Sequence, residues 1–259
     1  MLAVISPAKS LDFSSPLPTR KSSQPQFQKE STQLIKMLRQ LGPAELGQLM
    51  GISAKLADLN YQRYADWHPD FTAENARPAA LAFAGDVYNG LQAQNYSARD
   101  FSYAQKHLRI LSGLHGLLRP LDLIQPYRLE MGTRLENRRG ADLYSFWGKR
   151  VTEALNAAMA DSGDRFLINL ASQEYFGVLQ AEQLDARVIE VQFKDFKNGA
   201  YKFMSFYGKQ ARGLMASYIV QERVSTLKAL RAFDWQGYYY SEAQSHGDRW
   251  VFLRDSVPG

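Results

Sequence analysis

Two lysines stand where a nucleophile or general base would be useful. Lys9 and Asp12 lie three residues apart, directly after the short apolar run Leu2 to Ile5, and loops at strand ends are where α/β proteins place ligand-binding groups. Lys209 sits near the start of a helical pattern, and Glu174 in the expected first turn of another. A lysine beside a carboxylate can act as nucleophile or base, as in enzymes that excise damaged bases. The glycine-bearing turn of Ser112, Gly113 and His115, with Arg119 beyond it, could offer backbone N–H groups and a guanidinium to an anion. Arg128, Asn169, Ser172 and Tyr175 add polar groups at or beyond predicted strand ends and are candidates for the same pocket.

Phosphate recognition has two further candidates. Leu49-Met-Gly-Ile-Ser-Ala-Lys55 joins two helical patterns through a tight Gly51-Ile52-Ser53 turn, with Lys55 in the first turn of the second helix. This resembles a helix-hairpin-helix DNA-binding motif, in which uncapped N–H groups and the helix dipole face a phosphate. The motif's second glycine is replaced by Ser53, a good N-cap residue, and Leu49, Ile52 and Leu56 are expected to anchor the turn. An ordinary αα-hairpin has the same local pattern. The second candidate is a basic cleft of Lys194, Lys202, Lys209 and Arg212, interleaved with Phe193, Phe196, Tyr201, Phe206 and Tyr207, where cations hold a backbone and exposed rings stack bases. Cations early in a helix oppose its dipole, so Lys209 and Arg212 call for an anionic partner, or for Asp195 or Glu190 as neighbours.

Composition narrows the chemistry. The 259 residues contain no cysteine, which excludes disulfides, thiol nucleophiles and thiolate metal sites. The four histidines, His68, His107, His115 and His246, have no metal-ligand spacing, so neither a metal nor another cofactor is expected. Hydrophobic residues at 45% and charged residues at 22% indicate a globular chain. The start lacks the basic and long apolar segments of a secretory signal, and Leu111 to Ile124 is interrupted by Gly113, Gly116, Arg119 and Pro120, so a cytoplasmic protein with no membrane partner is expected. A net charge of +5 and a pI near 9.3 lean toward an anionic partner.

The elements that must position these groups read as mixed α/β in one domain over residues 1–259, with a mixed central sheet flanked by helices. A helical sub-region covers about 25–69, its helices running from near Phe27 to Leu41, from Pro43 to Met50, and through Leu56 to Trp67. Beyond Pro78, strands are expected at 79–84, 109–111 and 165–170, and helices at 100–107, 144–160 and from Ser172, which can cap its helix. Asn198-Gly199 between alternating runs is a strong hairpin signal, a helix over 208–232 follows, and two short strands near 235–240 and 249–253 end the pattern.

Several motifs now stand in one order: Ser6-Pro-Ala-Lys9-Ser-Leu-Asp12-Phe, Gly85-Asp-Val-Tyr-Asn-Gly-Leu, Leu111-Ser-Gly-Leu-His-Gly-Leu-Leu-Arg-Pro-Leu-Asp, Pro126-Tyr-Arg-Leu-Glu-Met-Gly, Ile168-Asn-Leu-Ala-Ser and Phe206-Tyr-Gly-Lys-Gln-Ala-Arg-Gly-Leu-Met. Across nearly the whole chain this resembles the YaaA family of peroxide-stress-resistance proteins. The resemblance implies a bacterial cytoplasmic protein that limits hydrogen peroxide damage, is associated with low free intracellular iron, and binds duplex or structured DNA. It carries the DNA-binding role onto Gly51, Ile52, Ser53 and Lys55.

Overall fold

In the computed structural model, which describes residues 1–256, the apolar run Leu2–Ile5 is fully buried as β1 and leads into the two-residue β2, Ser10–Leu11. Three helices follow, α1 (Gln28–Leu38), α2 (Pro43–Met50) and α3 (Ala54–Asp66). Leu34, Ile35 and Leu38 of α1 are buried, the i, i+4 spacing expected of a core-facing stripe. Next come β3 (Arg77–Pro78), α4 (Ala79–Ala82), β4 (Phe83–Ala84), α5 (Asp86–Leu91), α6 (Ala98–His107), β5 (Leu108–Ser112), β6 (Gly116–Leu118) and β7 (Leu123–Ile124). The chain continues through α7 (Leu143–Trp147), α8 (Arg150–Ser162), β8 (Phe166–Leu170), α9 (Gln173–Phe176), β9 (Arg187–Lys197) and β10 (Ala200–Lys202), then α10 (Ser205–Gln221), α11 (Leu227–Arg231), β11 (Tyr238–Tyr240) and β12 (Arg249–Arg254).

Eight strands form the central sheet, in the order β11-β12-β9-β8-β1-β5-β6, with β10 paired to β9. β12, β9, β8, β1 and β5 are mutually parallel, while β6, β10 and β11 run antiparallel. Renumbered among themselves, the parallel strands have the doubly wound order 2-1-3-4-5. The chain leaves β1 toward β5 on one side and later returns to lay β8 on the other, so a crevice opens beyond the carboxyl ends of β1 and β8, the place where open α/β sheets bind ligands.

Several expected elements differ in extent. The expected strand over 79–84 is a helical turn followed by two strand residues, because alanines favour helix and the N–H groups of Ala79 and Ala80 reach the carbonyls of Asp122 and Pro120. The expected helix 144–160 is split by Gly148 at φ +52°. The expected helix 208–232 begins earlier, at Ser205, and is interrupted beyond Gln221, where Arg223 adopts φ +53°.

α5 and α10 cross with their backbones in contact. A Cβ on Gly90 would stand 2.0 Å from the Gln210 carbonyl oxygen, and one on Gly213 would stand 1.8 Å from that of Val87. Since neither backbone can yield locally, Gly213→Ala should lower stability by about 1–3 kcal/mol or more. Gly47 in α2 has nothing closer than 3.6 Å to its would-be Cβ, so Gly47→Ala should raise stability by about 0.5–1 kcal/mol. Urea unfolding of both variants checks the contrast.

Candidate functional site

The crevice beyond β1 and β8 is closed at its base by serines. The backbone N–H of Ser172 donates to Ser6 Oγ at 2.9 Å, and the two hydroxyls are 3.4 Å apart. Tyr88 of α5 donates its hydroxyl to the Ser6 carbonyl at 3.2 Å, and Tyr127 shares a 2.6 Å bond with Ser112 Oγ. Burial holds the hydroxyls of Tyr88, Tyr127 and Tyr175 protonated, well above the ordinary tyrosine range. Above this layer, Glu130 lies 3.0 Å from Lys9 Nζ and 2.7 Å from Arg128 Nη2. Glu174 accepts the Gly132 N–H at 3.0 Å. The hydroxyl of Tyr64 in α3 donates to the Arg128 carbonyl, tying the α2–α3 hairpin to this cluster.

β9 runs past the end of β8 and projects with β10 from the same edge. A buried ion pair roots this projection: Arg254 of β12 places Nε and Nη2 each 2.6 Å from Asp195 Oδ1, and Tyr238 donates to the same oxygen at 3.1 Å. The Arg254 guanidinium also lies over the rings of Tyr238 and Tyr207. Strand alternation and register then sort the side chains. Lys202 opposes Asp195 and shares its face, the α10 side, whereas Phe196 opposes Tyr201 on the other.

These placements bring together some of the residues named from the sequence and separate others. Lys9, Arg128, Ser172 and Glu174 converge at the switch point, with Asn169 beside them accepting the Ala171 N–H. Asp12 does not pair with Lys9. Its carboxylate accepts the Ser15 and Ser14 N–H groups, and the Ser15 hydroxyl together with those N–H groups holds it well below the usual range. Ser112 and Gly113 are walled off: a Cβ on Gly113 would lie 2.3 Å from the Leu129 carbonyl oxygen, and His115 beside them is fully buried, its imidazole pushed down to about 3 by burial. Arg119 is carried to the opposite edge of the sheet by the antiparallel β6, where it pairs with Asp122.

The expected single basic cleft is divided by the sheet. Lys194 lies on the face away from Lys202 and α10, and donates to Gln244 at 2.8 Å. Asp195 and Glu190 serve Arg254 and Arg249 rather than Lys209 and Arg212. In the α2–α3 turn, Gly51 takes φ +61° and Ser53 the N-cap position, though its hydroxyl makes no capping bond. Nor does Ser172 cap α9, its side chain facing Ser6 instead. Leu49 packs on the core, but Leu56 is exposed and does not anchor the turn.

Glu130 is the site residue that sequence reading passed over. Its signal was the Arg128-x-Glu130 spacing, which in extended chain puts both side chains on one side.

The family described as Peroxide stress protein YaaA matches residues 1–244. The chain belongs to this family. Its setting is therefore the response to hydrogen peroxide. The YaaA match takes in the switch-point cluster, the projecting hairpin and α10, and ends before β12, so the arginine that neutralises Asp195 lies outside it.

Removing one partner of a buried ion pair strands the other charge in the core. Asp195→Ala should thus cost about 3–5 kcal/mol, and the apolar pair Asp195→Leu with Arg254→Met should recover most of that loss. Denaturant midpoints of the single and double variants test this.

Proposed function

We propose that the protein binds DNA largely without regard to sequence, and that this binding is its part in resisting hydrogen peroxide and the damage that free iron promotes. One observation carries the reading: residues 196–212 hold four basic residues and no acidic one, on a projection that leaves Phe196, Phe203 and Phe206 exposed. Lys197, Lys202, Lys209 and Arg212 have no carboxylate partner among the described residues. Phe203 and Phe206 beside them are 57% and 55% exposed, more than any other large apolar side chain among the described residues. Unpaired cations release counterions when they meet phosphates, and exposed rings stack on unpaired bases.

The α2–α3 turn supports a second contact of a different kind. Residues 43–66 carry Lys55 and Arg63 against Glu45, Asp58 and Asp66, so charge alone does not favour an anion there. What favours it is the N-terminus of α3, whose first N–H groups are left uncapped by Ser53.

A second reading rests on the Lys9–Glu130 pair at the switch point, where a lysine could attack the sugar of a damaged nucleotide. Borohydride treatment on abasic-site DNA separates the two. The binding reading expects no covalent adduct, and the enzymatic reading expects one that Lys9→Ala abolishes.

Duplexes of unrelated sequence should bind with similar affinity, with log K falling by ~0.9 per phosphate neutralised for each unit of log salt. Lys202→Glu and Lys209→Glu should each weaken binding and flatten that slope by about one phosphate's worth. Lys55→Glu should weaken it while stability holds or rises by ~0.3–1 kcal/mol, since a carboxylate suits a helix's first turn. Wild-type affinity in a folded Lys55→Glu protein would remove the hairpin from the interface, and wild-type affinity in both β10–α10 variants would remove the projection.

A further inference from the structure

At the amino-terminal edge of β5, away from the projecting hairpin, lies a cavity of about 720 Å³ lined by the ends of α6 and β6 and the second half of α8. Its size is in the range of small-molecule sites. Arg109 enters it from β5 and is only 7% exposed. Its Nη1 donates to the carbonyls of Gln105 at 2.8 Å, Lys106 at 3.4 Å and Leu108 at 2.9 Å, which fixes the plane of the guanidinium. Among the described residues, Nε and Nη2 have no hydrogen-bond partner, and no carboxylate pairs with the group.

Two of the three carboxylates nearby are committed elsewhere. Asp122 accepts from Arg119 and from Ser23 Oγ, and Asp164 takes His107 and the N-terminal ammonium. Asp161 stands at the exposed rim, as does Lys106, and has no ion-pair partner among the described residues. Burial pushes the Arg109 guanidinium down to about 10, so it remains charged at neutral pH. A desolvated cation with a fixed plane and an open Nε–Nη2 edge is the fork that grips two oxygens of a carboxylate or phosphate. Ala154, Ala157 and Ala158, spaced i, i+3 and i+4 on α8, line the same cavity with methyl groups.

We propose that this cavity binds a small organic oxyanion, a carboxylate or a phosphate monoester, with its charged end held by Arg109 and its apolar body against the alanines of α8. The site is separate from the proposed DNA contacts, which lie beyond the other end of the strands.

Titration calorimetry of the full chain with benzoate, phenyl phosphate and the uncharged benzamide tests the assignment. Saturable millimolar binding is expected for at least one of the two acids, about tenfold or more stronger than for benzamide, and the preferred acid identifies the headgroup. Ala157 is exposed, so Ala157→Phe should fold normally, intrude on the face where the apolar body would lie and weaken binding about tenfold or more. Arg109→Lys should do likewise by keeping the charge and losing the fork. No saturable binding of either acid, equal binding of benzamide, or undiminished binding in Ala157→Phe would each overturn the proposal. Should Arg109→Lys unfold through loss of its hold on the end of α6, Ala157→Phe decides alone.

Discussion

At Gly90 and Gly213 the backbones of α5 and α10 touch, with no room for a Cβ on either side, and both halves of the candidate site are placed by that contact. α5 carries Tyr88, whose hydroxyl holds the Ser6 carbonyl at the end of β1. α10 carries Lys209 and Arg212 and lends Tyr207 to the buried Arg254. A helix pair separated by ordinary side chains would stand 8–10 Å apart axis to axis, and a shift toward that spacing would pull the switch point and the cationic projection away from each other. Dense cores transmit such strain rather than absorbing it.

Much of the fold could be read from the sequence because its signals are local. The buried run Leu2–Ile5, the Asn198-Gly199 turn and the Pro43 helix start each follow from a few adjacent residues, and each is where it was expected. The divided basic cleft was not legible, because Lys194 and Lys202 belong to opposite faces only once the register Lys202↔Asp195 is set. Arg119 was misplaced for a related reason. Its loop reads as the end of a parallel strand, but β6 turns back along β5 and carries it to the other edge. Glu130 and Arg254 gain their importance from partners 121 and 59 residues distant, separations at which no spacing rule operates.

The chain's positive charge is unevenly used. Arg128, Arg187, Arg223, Arg249 and Arg254 are all engaged by carboxylates, while among the described residues the cations of 196–212 are not. Paired charges define geometry and contribute little net field at a distance, so it is the unpaired set that steers an anionic partner. The same reasoning separates the two hairpins, one offering charge and the other offering backbone donors.

The ion pair that roots the projecting hairpin also sets an order of events during synthesis. Asp195 is made 59 residues ahead of Arg254, and at ~5–20 residues per second its carboxylate precedes by roughly 3–12 s the guanidinium that pairs with it. Docking the end of β9 before Arg254 arrives would bury the Asp195 carboxylate without the guanidinium that neutralises it, a requirement that β1, β5 and β8 do not share. The footing of the cationic hairpin thus depends on β12, a strand made after the hairpin itself.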